Sequence, residues 1–432
     1  MIYSKSEVLQ YVSENDVKFI KLFFTDVSGR LKSVSIQPSI LEKAFDEGIS
    51  FDGSAIKGFS TPDKSDLFLV PDPSTLNVLP WRPQQGRVIR MYCNVKNPDG
   101  TEFAGDFRNI LAKTEKKASE SGFEIQIGTE CEFYLFKLDE NGMATHTPYD
   151  LGGYCDLSPI DLGENVRRDI IFNLEQMGIA PLTSHHETGP GQNEIDFKYD
   201  TTLRAADNYF TFKNTVKTIA YKDGVFASFN PKPIDDEAGN GLHINVSILK
   251  NGENLYKTDS EEKEYFIQGI LNRIREITVF FNTTPESYKR LGKFEAPKYV
   301  SWSSENRSQL IRIPSARGEE SRFELRSPDT ACNLYLALTL LIEAGLEGIE
   351  KKMKLVPSCD KNLLDVSSDE IKGLEKLPET LEEAIDIARK SDFVKSIINK
   401  NTLDSYFRSL EEDIADYCSK DSAKNFKRWI TF

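Results

Sequence analysis

The stretch Glu124–Phe136 constrains this chain more than any other. It reads EIQIGTECEFYLF, an alternation that predicts a long strand. Residues two apart on a strand share a face, so Glu130 and Glu132 project side by side. Adjacent carboxylates repel unless cations lie between them. The pair therefore marks either a solvent-facing strand edge or a site that holds positive ions.

Three other segments offer groups of the same kind. His185-His186-Glu187 leads into Gly189-Pro190-Gly191-Gln192-Asn193-Glu194, where glycines let the backbone bend close to a bound group. An ordinary polar loop with structural histidines is the plainer reading. In the predicted strand Leu242–Leu249, His243, Asn245 and Ser247 share a face, although a lone strand histidine is more often a satisfied core residue than a ligand. Arg322-Phe323-Glu324-Leu325-Arg326 sets three charges on one face, with Arg307 and Arg312 upstream. Arginines so concentrated either grip phosphate and carboxylate groups with forked hydrogen bonds or form a solvated charged face. Several glutamates with one histidine suit hard octahedral cations, which favours magnesium or manganese over zinc. The chain has no GxxxxGK[ST] loop, so a nucleotide would be held by metals, arginines and hydroxyls.

The surrounding sequence predicts an α+β frame in two parts. Residues 1–104 read as a small β-rich unit. Lys18–Thr25 and Leu31–Ile36 form a hairpin about Gly29, Ser39–Glu47 a short helix, and Leu67–Val70 and Val88–Val95 two more strands. In 105–432, Asp106 caps a helix over Phe107–Ser121. Helical spacing recurs at Glu164–Met177, Arg204–Tyr221, Ser260–Phe281 and Asp329–Lys352. Glu194–Lys198 and Arg322–Arg326 are strands. The chain is mostly helical from Leu377 onward, with breaks near Lys390 and Asn401.

Composition narrows the function classes. A net charge of −14 argues against nucleic acid as a main partner, since phosphate backbones reward clustered Lys and Arg. No apolar run reaches the length of a membrane span, and the polar N-terminus is not a secretory signal. Six cysteines without CxxC pairs point to free thiols and a cytoplasmic location.

Taken in order, the motifs resemble type I glutamine synthetase over nearly the whole chain. They are Phe51-Asp52-Gly53-Ser54-Ala55-Ile56, Ser65-Asp66, Pro71-Asp72, GTECEF, HHE with GQNE, GNGLH, YKRLGKFEAP, SENRSQLIRIP, RFELRSPD and NLYLAL. The resemblance implies a β-grasp N-terminal domain, then a catalytic domain with an antiparallel sheet flanked by helices. It implies ATP-dependent ligation of ammonia to L-glutamate through γ-glutamyl phosphate, with two or more Mg2+ or Mn2+ ions per site. It implies a dodecamer of two hexameric rings with active sites shared between subunits. Carried over by motif, Glu132, Glu187 and Glu194 hold a first metal, and Glu130, His243 and Glu324 a second. Arg307 and Arg312 contact ATP phosphates, and Asn245 and Ser247 the nucleotide. Arg290 and Arg326 clamp the glutamate carboxylates, and Gly239 meets the backbone end. Asp52 of a neighbouring subunit takes the ammonium proton, and Glu295 lies in a closing flap.

The chain departs from the family pattern at several points. Asn245 replaces a second histidine, Ala238 replaces an asparagine, the flap before Glu295 is one residue short, and a residue missing between Arg312 and Glu324 leaves a phosphate-contacting lysine unplaced, with Arg317 as a substitute. Asn362-Leu363-Leu364-Asp365 lacks the tyrosine that some members adenylylate, and Thr61 stands where others carry a feedback arginine. The altered flap keeps open a glutamate–amine ligase using methylamine or a polyamine. A catalytically silent nitrogen regulator is the alternative from another class.

Overall fold

A computed structural model of the chain describes residues 3–82, 85–315, 318–366, 371–419 and 421–432. The first part is built on a sheet ordered Leu31–Ile36, Val17–Thr25, Arg87–Lys96, Asp66–Pro71, Ile49–Asp52, with Asn77–Val78 beside Arg87–Lys96. Val17–Thr25 pairs antiparallel with Leu31–Ile36 and parallel with Arg87–Lys96. The hairpin turn needs Gly29, which sits at φ +78° with the Asn333 backbone so close that a β-carbon would meet it.

The second part is a larger curved sheet. Its strands run Trp302–Ser304, Ile311–Ile313, Phe323–Leu325, Leu242–Lys250, Phe123–Leu138, Gln192–Thr201, Pro181–His186. Val225–Ser228 and Ala144–Pro148 also pair with Phe123–Leu138. Every pairing is antiparallel except Trp302–Ser304 with Ile311–Ile313. The central strand buries Ile125, Ile127, Cys131, Phe133 and Leu135 against helices Phe107–Glu120 and Thr202–Lys222. Its opposite face carries Glu130 and Glu132. Behind these elements, helices Glu262–Phe281 and Leu334–Glu350 cross so closely that a β-carbon on Gly269 would collide with the Ala344 carbonyl.

A buried ionic hub fixes the two parts together. Arg108 donates to Asp207 from Nε (3.0 Å) and Nη2 (2.9 Å), to Asp72 (2.9 Å) and to Asn94 (2.9 Å). Burial works against that guanidinium, but Asp207 outweighs it and holds the charge. Asp72, matched above only as part of a motif, is therefore a structural anchor.

Three sequence expectations change. The helix expected over Asp329–Lys352 starts at Leu334, because Asp329 instead accepts from Asn282 Nδ2 (2.8 Å) and the Ala331 amide (3.0 Å) in a buried turn. The break expected near Asn401 lies at Ile398–Asn399, where Asn399 caps helix Lys400–Tyr417. His185 and His186 end a strand that pairs with Gln192–Thr201, so they do not lie in a free loop. Among the described residues no helix is long and apolar enough to cross a membrane, and all six cysteines are free.

Candidate active site

Strand register builds the site. Across the sheet, Glu130 stands opposite His243 on one side and Asp196 on the other. Glu132 stands opposite Glu194, which faces His185. Asn245 and Arg312 each stand opposite Glu324. Alternation turns all of these side chains to one face, so six strands converge there.

Two acidic clusters result. In one, His243 Nδ1 lies 3.2 Å from Glu130 Oε2 and 3.2 Å from Glu324 Oε1. Arg326 Nη1 donates to Glu324 Oε1 (2.6 Å), and Arg312 Nη1 to Oε2 (2.9 Å). Asn245 Nδ2 donates to Glu130 Oε1 (2.9 Å) while its Oδ1 accepts from Arg322 Nε (2.7 Å). Burial opposes ionisation of Glu130, but His243, Asn245 and Arg322 lower its pKa to about 2. Glu324 is likewise held below its ordinary value, with burial outweighed by Arg326 and His243.

The other cluster gathers His185, Glu187 and Glu194. His185 Nε2 lies 3.3 Å from Glu194 Oε1, and its Nδ1 lies 3.7 Å from Glu187 Oε1. Glu132 adjoins them, with Oε2 accepting from the Gly241 amide (2.9 Å) and Gln192 Nε2 (2.9 Å). Burial raises Glu194 well above the carboxylate range, helped by Asp196, Glu132, Glu130 and Glu187. Burial and Glu132 raise Glu187 too, and burial with Glu130 raises Asp196 to about 6. So much unneutralised negative charge, offered by carboxylate oxygens with one imidazole, fits a hard divalent cation.

The other expected residues surround this face. Arg290 is buried, donating to the carbonyls of Ser327 (2.9 Å) and Arg326 (3.3 Å). A β-carbon on Gly239 would collide with the Pro231 carbonyl oxygen and lie 3.0 Å from Arg290 Cγ, and the backbone clash requires glycine there. Arg326 Nη2 reaches Glu295 Oε2 (3.5 Å), which is largely exposed. Arg307 is exposed, and its carbonyl accepts from Arg326 Nε (3.0 Å). Ser247 donates to the Ser321 carbonyl (3.1 Å). Asp52 is elsewhere, at the end of strand Ile49–Asp52 in the other sheet, accepting from the Ser54 amide and hydroxyl. Arg317 lies outside the described residues.

Sequence reasoning missed His185 as a donor, Asp196 as a further acid and Arg322 as the brace of Asn245. Their signal was i, i+2 spacing: His185 to Glu187, and Glu194 to Asp196. His186 takes no part. Its Nε2 lies 2.8 Å from Asp150 Oδ1 and its Nδ1 2.6 Å from the Glu187 carbonyl, while the nearby Asp161 pairs with Arg167 (2.5 Å). That buried trio holds the loop and leaves nothing free for a metal.

Comparison with known proteins agrees with this geometry. Residues 16–98 match the glutamine synthetase β-grasp domain, and residues 104–429 the glutamine synthetase catalytic domain. A glutamine synthetase from Methanosarcina mazei is 46% identical over 423 residues, covering 96% of this chain and 95% of that protein. One from Clostridium saccharobutylicum is 43% identical, covering 97% and 96%. Among solved structures, a GmaS–ADP complex superposes with a TM-score of 0.87 at 27% identity, covering 96% of this chain and 97% of that one. A cryo-EM structure of Plasmodium falciparum glutamine synthetase gives 0.86 at 25% identity, covering 99% of each.

A β-grasp domain ahead of an antiparallel sheet that gathers acids and arginines on one face defines a class of carbon–nitrogen ligases in which ATP and metal binding are typical. Within that class the chain belongs to the glutamine synthetase family, in its type I form. The matches favour neither the amine ligase nor the silent regulator.

Proposed function

We propose that this chain ligates ammonia to the γ-carboxylate of L-glutamate, giving glutamine, ADP and phosphate. The supporting observation is the single sheet face on which two acidic clusters, three arginines and the adjoining buried Arg290 converge. Glu132, Glu187 and Glu194, with His185 beside them, would hold one divalent ion, and Glu130, His243 and Glu324 another, either magnesium or manganese. Such ions, when bound, neutralise phosphate charge.

The chain's own residues do the rest. Arg290 and Arg326 hold the carboxylates of glutamate, with Gly239 admitting its backbone end. Arg307 and Arg312 face the ATP phosphates, and Asn245 and Ser247 the nucleotide. The γ-carboxylate oxygen takes the γ-phosphoryl group and ADP leaves, with Arg307 steadying the charge in flight. The partner subunit's Asp52 attracts ammonium and accepts one proton; ammonia then attacks the acyl carbon and phosphate departs. Hydrogen bonds from the Ser54 hydroxyl and amide keep the Asp52 carboxyl below its ordinary pKa, so it is ionised when ammonium arrives. Glu295 closes the flap and keeps water from the acyl phosphate.

A shared site explains why Asp52 stands away from the clusters of its own chain, and it supports a dodecamer of two hexameric rings. The division of the chain at 104/105 and a cytoplasmic setting belong to the same reading. The test is an assay with ATP, L-glutamate and ammonium. Phosphate and glutamine are expected only when all three and Mg2+ or Mn2+ are present; absence of phosphate with either ion overturns the proposal. Light scattering that finds a monomer under assay conditions overturns the shared site.

A further inference from the structure

Helix Thr202–Lys222 packs behind the central strand, on the face opposite Glu130 and Glu132, where its Phe212 meets Phe133. Lys213 and Lys217 stand one turn apart on it, and both line a cavity of 230 Å³. The hairpin turn of the first sheet brings Arg30 and Ser28 to the same cavity, and helix Lys400–Tyr417 brings Ser409 and Asp413. The cavity thus lies where the two parts of the chain meet, and the larger sheet separates it from the acidic clusters.

The cations of this cavity have neutral partners. Lys213 Nζ donates to the Thr330 carbonyl (2.6 Å) and Lys217 Nζ to that of Thr431 (2.8 Å), while the Arg30 guanidinium lies 5.9 Å from the centre of the Phe432 ring. Among the described residues no carboxylate forms an ion pair with Arg30, Lys213 or Lys217, and the Arg30 guanidinium makes no hydrogen bond. The nearby acids are committed elsewhere. Asp26 pairs with Lys32 (3.6 Å), Asp329 accepts from Asn282 (2.8 Å), and Asp413 is held by Arg428 from Nε (3.0 Å) and Nη2 (2.9 Å). Lys57, a further cation of the lining, has its own acid in Glu412 (3.6 Å). Burial lowers the pKa of both helix lysines, and Lys213 and Arg30 help bring Lys217 down to about 7. Cations gathered around one small space without a shared counter-ion repel one another, and an anion relieves that repulsion.

We propose that Arg30, Lys213 and Lys217 form a binding site for a small dianion, a phosphate or a dicarboxylate, that ties the β-grasp hairpin to the catalytic domain. Each lysine ammonium has three donors and spends one on a carbonyl, and the Arg30 fork is free to take two oxygens of one ligand. Asn214, whose side-chain amide also makes no hydrogen bond among the described residues, lines the same space. The volume is below the roughly 300 Å³ at which pockets for drug-sized ligands begin, which suits a compact anion and excludes a nucleotide. The site does not depend on the reaction proposed above. An anion held there stabilises the junction of the two parts without competing with ATP or glutamate.

The test is calorimetric titration of inorganic phosphate, and separately of succinate, into the full-length protein in chelator, where the unneutralised acidic clusters repel anions. Lys217→Met and Arg30→Gln are each expected to weaken binding about tenfold, the loss of one charge-assisted contact, and the two together about a hundredfold. The anion-dependent rise in Tm of wild type is expected to vanish in the double variant. The KM values for ATP and glutamate are expected to stay within about twofold of wild type, because neither residue touches the acidic face. Tighter phosphate binding makes the ligand a phosphoryl compound and tighter succinate binding a dicarboxylate, both within the proposal. Failure of both anions to bind at about 10 mM, or affinities that neither variant changes, overturns it. Lys217→Met removes a charge that its neighbours repel, so it is expected to fold. Should it not, Arg30→Gln on the hairpin carries the same test, and an unchanged affinity there overturns the site equally.

Discussion

The two acidic clusters share one sheet face yet are charged in opposite ways. Glu130, His243 and Glu324 are enclosed by Arg312, Arg322 and Arg326, which hold the carboxylates ionised without help. Among the described residues Glu187, Glu194 and Asp196 have His185 as their near cationic partner, with Glu132 adjoining as a further negative charge, and burial and neighbouring carboxylates raise the pKa values of Glu187, Glu194 and Asp196. The first arrangement is a preformed socket whose shape the protein itself maintains. The second is strained when empty and gains most from a cation. Metal binding should therefore stabilise the fold chiefly through the Glu187–Glu194 side, while the arginine-braced side governs chemistry at the phosphates.

That contrast can be broken by substitution. Glu324→Ala leaves the buried Arg326 and the half-buried Arg312 without their shared counter-ion, which is expected to cost about 3–5 kcal/mol of stability. Turnover is expected to fall about a thousandfold. Melting in chelator and an activity assay check both, and a metal-free melt like wild type contradicts the bracing role. Glu194→Gln is expected to act in the opposite sense on stability. It relieves repulsion and should stabilise metal-free protein, raising its Tm. Activity should still fall about a hundredfold through lost metal affinity. A destabilised metal-free variant would show that this cluster is not strained.

The smallest effect is in pH. Asp196 is raised to about 6, and Glu187 and Glu194 are raised as well. A raised carboxyl contributes stability below its unfolded pKa and loses it as pH climbs through the folded value. Metal-free protein should therefore lose a few degrees of Tm between about pH 4 and pH 7, with Mn2+ restoring them. Glu130, lowered to about 2, behaves conversely and adds stability only above its unfolded value. Melts in chelator and in Mn2+ across that range test this, with Asp196→Asn expected to flatten the metal-free slope. A slope that Asp196→Asn leaves intact assigns the effect elsewhere.

Much of this was legible in the chain. The central strand declared itself by alternation, and Gly29, Gly48 and Gly122 marked turns that adopt positive φ. The helices at Phe107–Glu120 and Thr202–Lys222 followed from spacing and, for the first, from the Asp106 cap. Strand Pro181–His186 was hidden because its run of Thr, Ser and His lacks an apolar face of its own. It is a strand because Gln192–Thr201 supplies its hydrogen bonds. His185 was missed with it, for a ligand is recognised by its neighbours, and those come from another strand. The turn at Asp329 was missed for the converse reason: its apolar spacing runs smoothly into a helix, and only Asn282 reveals why the carboxylate stays outside.

The sequence by itself determined which side chains share a face, since the period of a strand is a covalent fact of the backbone. It determined Glu130 beside Glu132 and Arg322 beside Glu324 and Arg326, and its ordered motifs determined the family. Tertiary structure alone decided which faces meet and in what register. That register gives three arginines to one acidic cluster and almost none to the other, and it brings Arg428 onto Glu286 from 142 residues away. The physical reason is that burial and charge act through space: a carboxylate's pKa depends on what stands within a few ångströms, whatever its distance along the chain.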